Sequence, residues 1–292
     1  MKNIQTIGYL MYIKHPVFET PENKNIKIWR YQSLSKLISN LLEGSLFFSR
    51  ADRLEDKYEG SLPKLNIRER RSALRFIEES GPQIATAFKE NMGRELNKDQ
   101  ANKLAKKSAL YIECYQRREN MAYRRFTCIN CWHMNENESA AMWKLYCQTN
   151  EAVAIQSTFS RLIKSLEKSP EEVYIGMVKY TDYDTAAIPV GNDFYRFLYK
   201  RHSFNHEREI RAIYQQHPPL KLRKDGTQKV DWDAKLFESG MNIHADIDTL
   251  IERIVVSPTA PGWFFHVVES VVIKYGFKIP VQPSSLSIKP QF

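Results

Sequence analysis

Hydrophobic and polar residues alternate over residues 26–31, Ile-Lys-Ile-Trp-Arg-Tyr, and a period of two predicts a strand. The period then changes. Between Ser33 and Gly44 the spacing puts Leu34, Leu37, Ile38, Leu41 and Leu42 on one helical face, with Ser33 as N-cap and Gly44 as the stop. Residues 45–50 read as a short strand and residues 51–60 as a polar, acidic loop. Over 64–125 apolar positions recur at helical spacing in a highly charged background, with Gly81–Pro82 marking the end of the first helix. Strand-like runs return at 126–133, 151–158, 173–180, 209–215 and 251–258. Helical patterns lie between them at 137–148, 159–168, 193–204 and 262–276, the last stopped by Gly276, and 278–284 reads as an extended tail. In the 193–204 pattern Phe194, Phe197, Leu198 and Phe204 form the apolar side.

Short strands at irregular spacing predict an α+β fold rather than a doubly wound parallel sheet. The expected architecture is a mixed, mainly antiparallel sheet flanked by helices. Residues 1–63 and 126–292 would form the core, and 64–125 an inserted helical subdomain. The chain has 292 residues and is 42% hydrophobic, ample for a packed core.

Charge adds a partner class. There are 43 Lys and Arg against 34 Asp and Glu, a net charge of +9. That balance favours polyanions, and the basic segment 68–125 is the candidate nucleic-acid contact; the plainer reading is a solvated helix face. No apolar run approaches the roughly 20 residues of a membrane helix, so no membrane partner is expected. The start, Met-Lys-Asn-Ile-Gln-Thr-Ile-Gly-Tyr-Leu-Met, lacks the pattern of a secretory leader. A cytoplasmic protein with reduced thiols is expected.

Several motifs drop out. There is no phosphate-binding GxxxxGK[ST] or GxGxxG loop, no GxSxG elbow and no HExxH pair. Cys128 and Cys131 have C-x-x-C spacing, but residues three apart on a strand point to opposite faces, so buried free thiols are favoured over zinc. Asp52, Glu55, Asp56 and Glu59 cluster in the acidic loop. They could hold a divalent metal, but a polar loop capping the next helix is the favoured reading, and no metal is expected. Trp143 and Tyr146 share a helical face, as core residues with the Tyr hydroxyl at the surface. A strand beginning near Glu207 would set Glu207, Glu209 and Arg211 on one face, where Arg211 can neutralise a carboxylate.

Five segments in order, residues 29–60, 131–159, 199–214, 250–276 and 281–286, resemble the bacterial domain of unknown function 2971. Within the first, Glu59–Gly60 matches the end of the family's Asp-Pro-Phe-Glu-Gly pattern. Phe204 stands where a Trp is frequent before the Glu-x-Glu. The name of that family carries no activity. A second resemblance is to ADP-ribosyltransferases of the Arg–Ser–Glu type, which show in order an arginine on an early strand, a Ser-Thr-Ser-like strand and a Glu-x-Glu. Here the matching positions are Arg30, then Ser157 and Thr158, then Glu207 and Glu209; Phe159 departs from the middle motif. The resemblance implies NAD as a substrate. Glu209 would stabilise an oxocarbenium-like state at the ribose, as in glycoside cleavage, and Glu207 would orient or deprotonate the acceptor. Arg30 would hold the pyrophosphate in its fork and Ser157 would buttress Glu209. Tyr31, Trp143 or Tyr146 would stack on the nicotinamide or on a base.

Three expectations result. One is an enzyme that cleaves NAD and modifies a protein or nucleic-acid acceptor, in a setting such as bacterial defence. Another is a nucleic-acid-binding or nuclease protein of a defence or toxin system. The last is a non-catalytic interaction module, with Glu209 paired to Arg211 and no cavity containing both Glu209 and Arg30.

Overall fold

A computed structural model describes residues 15–147 and 149–288. The leader reading rests on residues 1–14, which lie outside the described residues. The elements in chain order are β1 (Lys27–Ser33), α1 (Leu34–Glu43), β2 (Ser45–Arg50), α2 (Lys64–Glu78), α3 (Gly81–Met92), α4 (Lys98–Phe126), β3 (Thr127–Met134), α5 (Ala140–Tyr146) and β4 (Ala152–Thr158). They continue with α6 (Phe159–Leu166), β5 (Tyr174–Met177), β6 (Lys179–Thr181), α7 (Tyr195–Leu198), β7 (Tyr199–Arg201), β8 (Glu209–Gln215), β9 (Leu220–Leu222), β10 (Gln228–Val230) and β11 (Gly240–His244). The last are α8 (Ile247–Leu250), β12 (Arg253–Val256), α9 (Gly262–Lys274) and β13 (Val281–Pro283).

Nine strands form one mixed sheet, in which β12 and β13 run parallel and the other pairs antiparallel. The fold is α+β, with helices around the sheet. Local chemistry explains the sharp boundaries. The Ser33 hydroxyl accepts from the Lys36 N–H at the start of α1, and Gly44 closes it in the left-handed region at φ 56°. Asn97 and Gln100 form a capping box at the start of α4.

The strand period sorts the two sheet faces. On one face Ile28, Cys128, Trp132, Val153, Ile155 and Ile210 pack with α1, α6 and α9 in the largest core cluster. On the other face lie two smaller clusters. Phe126 and Ala122 of α4 meet Ile129, Ile213 and Phe197 in one. Met142 and Trp143 of α5 meet Trp29, Tyr31 and Ala154 in the other. A group of buried charged residues occupies the interval between these two apolar patches.

The structure differs from the pattern in three places. The expected helix over 193–204 is only four residues long; the chain turns extended at Tyr199 and β7 pairs in parallel with β6. That puts Lys200 inside the protein. The strand read over 209–215 is β8, but the extended run does not reach back to Glu207, because Arg208 takes a left-handed φ of 40°. The acidic loop does not cap α2, whose N-cap Pro63 has no side chain to offer. No helix among the described residues is long and apolar enough to cross a membrane.

Candidate functional site

The sheet splits beside β3. Its partner β1 pairs with it only at Ile28–Met134 and Trp29–His133, while its other edge pairs with β4 from Lys27 to Ser33. On the same edge of β3, β2 pairs only at Ser49–Ile129 and Arg50–Cys128, while its other edge pairs with β11 from Ser45 to Ser49. Two strands that share one edge of a third must part. The parting is bridged by Arg30 and Asn130, whose side chains both donate to the Phe47 carbonyl, at 3.3 and 2.9 Å. A cavity of about 320 Å³ opens there, lined by Arg30, Tyr31, Gln32, Cys131, His133, Tyr146, Lys200, Glu207, Glu209 and Arg211 among others. That volume is at the lower end of small-molecule sites.

One wall is acidic and tightly braced. Glu207 ends a 3₁₀ turn, and the left-handed Arg208 redirects the chain, so the carboxyls of Glu207 and Glu209 face each other over Lys200. Lys200 Nζ donates to both, to Glu209 Oε1 at 3.2 Å. The Glu209 N–H donates to the Tyr180 hydroxyl at 2.8 Å, which fixes the start of β8. Behind Glu209 stands Arg211, 1% exposed. Its Nε donates to Glu209 Oε2 at 2.7 Å, and Nη1 and Nη2 grip Glu59 at 2.7 and 2.8 Å. Gly60 comes next in the loop at φ 70°, where an added Cβ would come within 2.6 Å of a Phe197 ring carbon. Arg201 donates to Asp56 at 2.8 Å in the same loop.

Two buried carboxyls in contact cannot both ionise easily. Burial and the neighbouring Glu209 push Glu207 up to about 7. Burial acts on Glu209 too, but Arg211 and Lys200 outweigh it and hold that carboxyl well below the usual range. The pair therefore shares a proton near neutrality, carried by Glu207. Tyr146 faces Glu207, and burial with the two carboxylates raises its hydroxyl pKa. Burial, with Glu209 adding to it, pushes the Cys131 thiol up to about 12, so it is no thiolate nucleophile at neutral pH.

The other wall is cationic. Arg30 comes within 6.0 Å of the Trp132 ring centre, and no carboxylate among the described residues neutralises it. Burial lowers its pKa to about 10, which leaves it charged at neutral pH. Its Nη1 is buried without a hydrogen-bond partner among the described residues. Such a group is a receptor for an oxyanion.

Of the residues singled out from the sequence, Arg30, Tyr31, Tyr146, Glu207 and Glu209 line this one cavity. Ser157 and Trp143 do not. Ser157 lies on the sheet face away from Glu209, register-paired with Ile28, and its hydroxyl donates to the Leu250 carbonyl at 2.5 Å; Arg30 shares that face by strand parity but lines the cavity where β1 parts from β3. Its expected buttressing of Glu209 is corrected accordingly: Lys200 and Arg211 brace that carboxylate. Trp143 stands behind Tyr31, rings 5.0 Å apart edge to face, with its Nε1 donating to Glu138 at 2.9 Å. Its stacking on a ligand is thereby corrected to support of Tyr31. Glu209 pairs with Arg211, one mark of an interaction module, yet the cavity also contains both Glu209 and Arg30, which that reading did not expect.

Sequence reasoning missed Lys200, because its segment reads as a helix. It missed Gln32 and His133 because no motif or spacing sets either apart from the other polar residues of its strand. Glu59 was visible, but its partner lies 152 residues away. No family model, no curated protein and no solved structure matches the chain.

Proposed function

We propose that this chain is an NAD-cleaving enzyme of the ADP-ribosyltransferase kind, acting in the cytoplasm, and a member of the domain of unknown function 2971 family. The observation that carries the activity is a single cavity lined both by an arginine whose buried Nη1 has no partner among the described residues and by a proton-sharing glutamate pair. Arg30 holds a phosphate oxygen of the dinucleotide. Anionic Glu209 stabilises positive charge at the ribose as the nicotinamide–ribose bond breaks and its electron pair leaves with nicotinamide. Glu207 lies beside it to hold the acceptor hydroxyl or water. Tyr31 and Tyr146 supply the aromatic surface. The cavity suits the nucleoside-sized half of the substrate.

The family proposal draws support from how the resembling segments meet. Glu59 of the first grips Arg211 of the third. Glu138 of the second accepts from Ser284 and Ser285 of the last, at 2.6 and 2.5 Å. Incubation with NAD labelled on the adenylate side, with protein, RNA and DNA acceptors offered in turn, tests the activity. Nicotinamide release or label transfer is expected, and neither should occur with Glu209→Gln.

A second reading, nucleic-acid binding, has its own observation. Residues 64–126 contain 15 Lys and Arg against 8 Asp and Glu, a net +7 of the whole chain's +9. The exposed side of α4 presents Lys103, Lys106, Lys107, Arg117 and Arg118. Tyr111, 69% exposed, stacks on Tyr115 beside them at 6.4 Å. Cations interleaved with exposed aromatic rings suit a single strand, by phosphate contact and base stacking. The helix face then delivers an acceptor rather than replacing the chemistry. Affinity for a single-stranded oligonucleotide should fall steeply with salt, and no binding at low salt would remove this reading.

A further inference from the structure

The cavity holds more unspent hydrogen-bonding capacity than Arg30 alone. Gln32 lies two residues along β1, so its side chain leaves the strand on the same face as Arg30. It is 3% exposed, lines the cavity, and its Nε2 is buried with no partner among the described residues. His133 sits on the central strand β3, opposite Glu209 across β8 and opposite Trp29 across β1. It is 7% exposed and also lines the cavity. Its Nδ1 meets the main-chain carbonyl of Glu207. A carbonyl only accepts, so Nδ1 carries the hydrogen and Nε2 is left with a lone pair. That Nε2 too is buried without a partner among the described residues.

Leaving three such atoms unsatisfied around one cavity is costly, because buried polar groups in proteins are almost all paired. Two are donors on the Ile28 face of β1, and the third is an acceptor on the Glu209 face of β3; all three line the cavity where the two strands part. The complementary ligand carries an oxyanion for the donors and a hydroxyl for the acceptor. A phosphorylated sugar has both. Burial lowers the His133 pKa, which keeps the ring neutral and able to accept at physiological pH.

We propose that Gln32 and His133 are ligand-reading residues: the Gln32 amide joins Arg30 on a phosphate oxygen, and His133 Nε2 accepts from a sugar hydroxyl of the same ligand. This rests on the reading of the cavity as the site for an NAD-like molecule, but it concerns recognition and not bond cleavage. It assigns the substrate class as a ribosyl phosphate or diphosphate.

Calorimetric titration with ADP-ribose and with inorganic pyrophosphate tests it. The wild-type chain should bind both. Gln32→Met removes the amide at nearly constant volume and should weaken both about tenfold, the loss of one charge-assisted hydrogen bond. His133→Asn keeps a donor towards the Glu207 carbonyl and removes the Nε2 acceptor. It should weaken ADP-ribose about tenfold and leave pyrophosphate, which has no sugar hydroxyl, unchanged. A measurement on the wild-type protein guards against misfolded variants: with ¹⁵N-labelled histidine, the His133 Nε2 resonance should move when ADP-ribose is added and stay put with pyrophosphate. Failure of both ligands to bind overturns the proposal, as do folded variants that bind like wild type or a His133 resonance blind to ADP-ribose. If recognition behaves as stated and NAD is never cleaved, the subsite stands and the enzymatic reading falls.

Discussion

Arg211 grips Glu59 through both terminal nitrogens, at 2.7 and 2.8 Å, with 1% of the arginine exposed. This fork pins the acidic loop to the middle of the sheet and, through Nε, holds Glu209 in place. Removing one partner of a buried pair leaves an uncompensated charge, which costs about 3–5 kcal/mol. Glu59→Ala should lose that much in urea unfolding. Replacing Glu59 by Met and Arg211 by Leu together should cost less than the sum of the single changes, since no charge is stranded between them.

The glutamate pair gives stability a defined pH dependence. Glu207 binds its proton more tightly folded, up to about 7, than an exposed glutamate does near 4.3. Between those values the folded chain carries the extra proton, so this residue's contribution falls as pH rises through about 7. Glu209 is shifted the other way, so its contribution is lost as pH falls below the ordinary glutamate range. Melting temperature measured from pH 5 to 8 should decline less in Glu207→Gln than in the wild-type chain.

Ser157 separates structure from chemistry. Its hydroxyl bonds the Leu250 carbonyl on the face away from Glu209. Ser157→Ala should cost about 1 kcal/mol in denaturant unfolding, the value of one neutral hydrogen bond, and leave any NAD cleavage unchanged. A large loss of activity with intact stability would mean that the residue acts on Glu209 after all.

Gly60 tests the fit of the loop that carries Glu59. A methyl group there meets the Phe197 ring at 2.6 Å on a backbone of φ 70°. Gly60→Ala should destabilise by more than about 1 kcal/mol, judged by thermal melting, because strain and overlap add.

Local chemistry was legible in the sequence where it is decided locally. The Ser33 and Gly44 boundaries of α1, the β3 and β4 strands and the α+β class all come from period and capping. The segment around Lys200 was not legible, because its apolar spacing fits a helix while pairing of β7 with β6 pulls it extended. The site was half visible. Arg30, Glu207 and Glu209 came from an ordered resemblance, but their shared cavity depends on where β1 and β2 part from β3. No spacing rule encodes that parting. Ser157 failed for a related reason: strand parity sets its face, and the parity is fixed by register with β1 rather than by its distance from the glutamates.

The central claim is that the cavity between Arg30 and Glu209 cleaves NAD. Nicotinamide release from NAD, monitored with wild-type chain and with Glu209→Gln of equal melting temperature, tests it most directly. Release by the wild-type chain that drops at least about a hundredfold in the variant is the expected result, the scale of losing one electrostatic stabiliser of a transition state. No release by the wild-type chain with protein, RNA or DNA acceptors present, or equal release by both proteins, would contradict it.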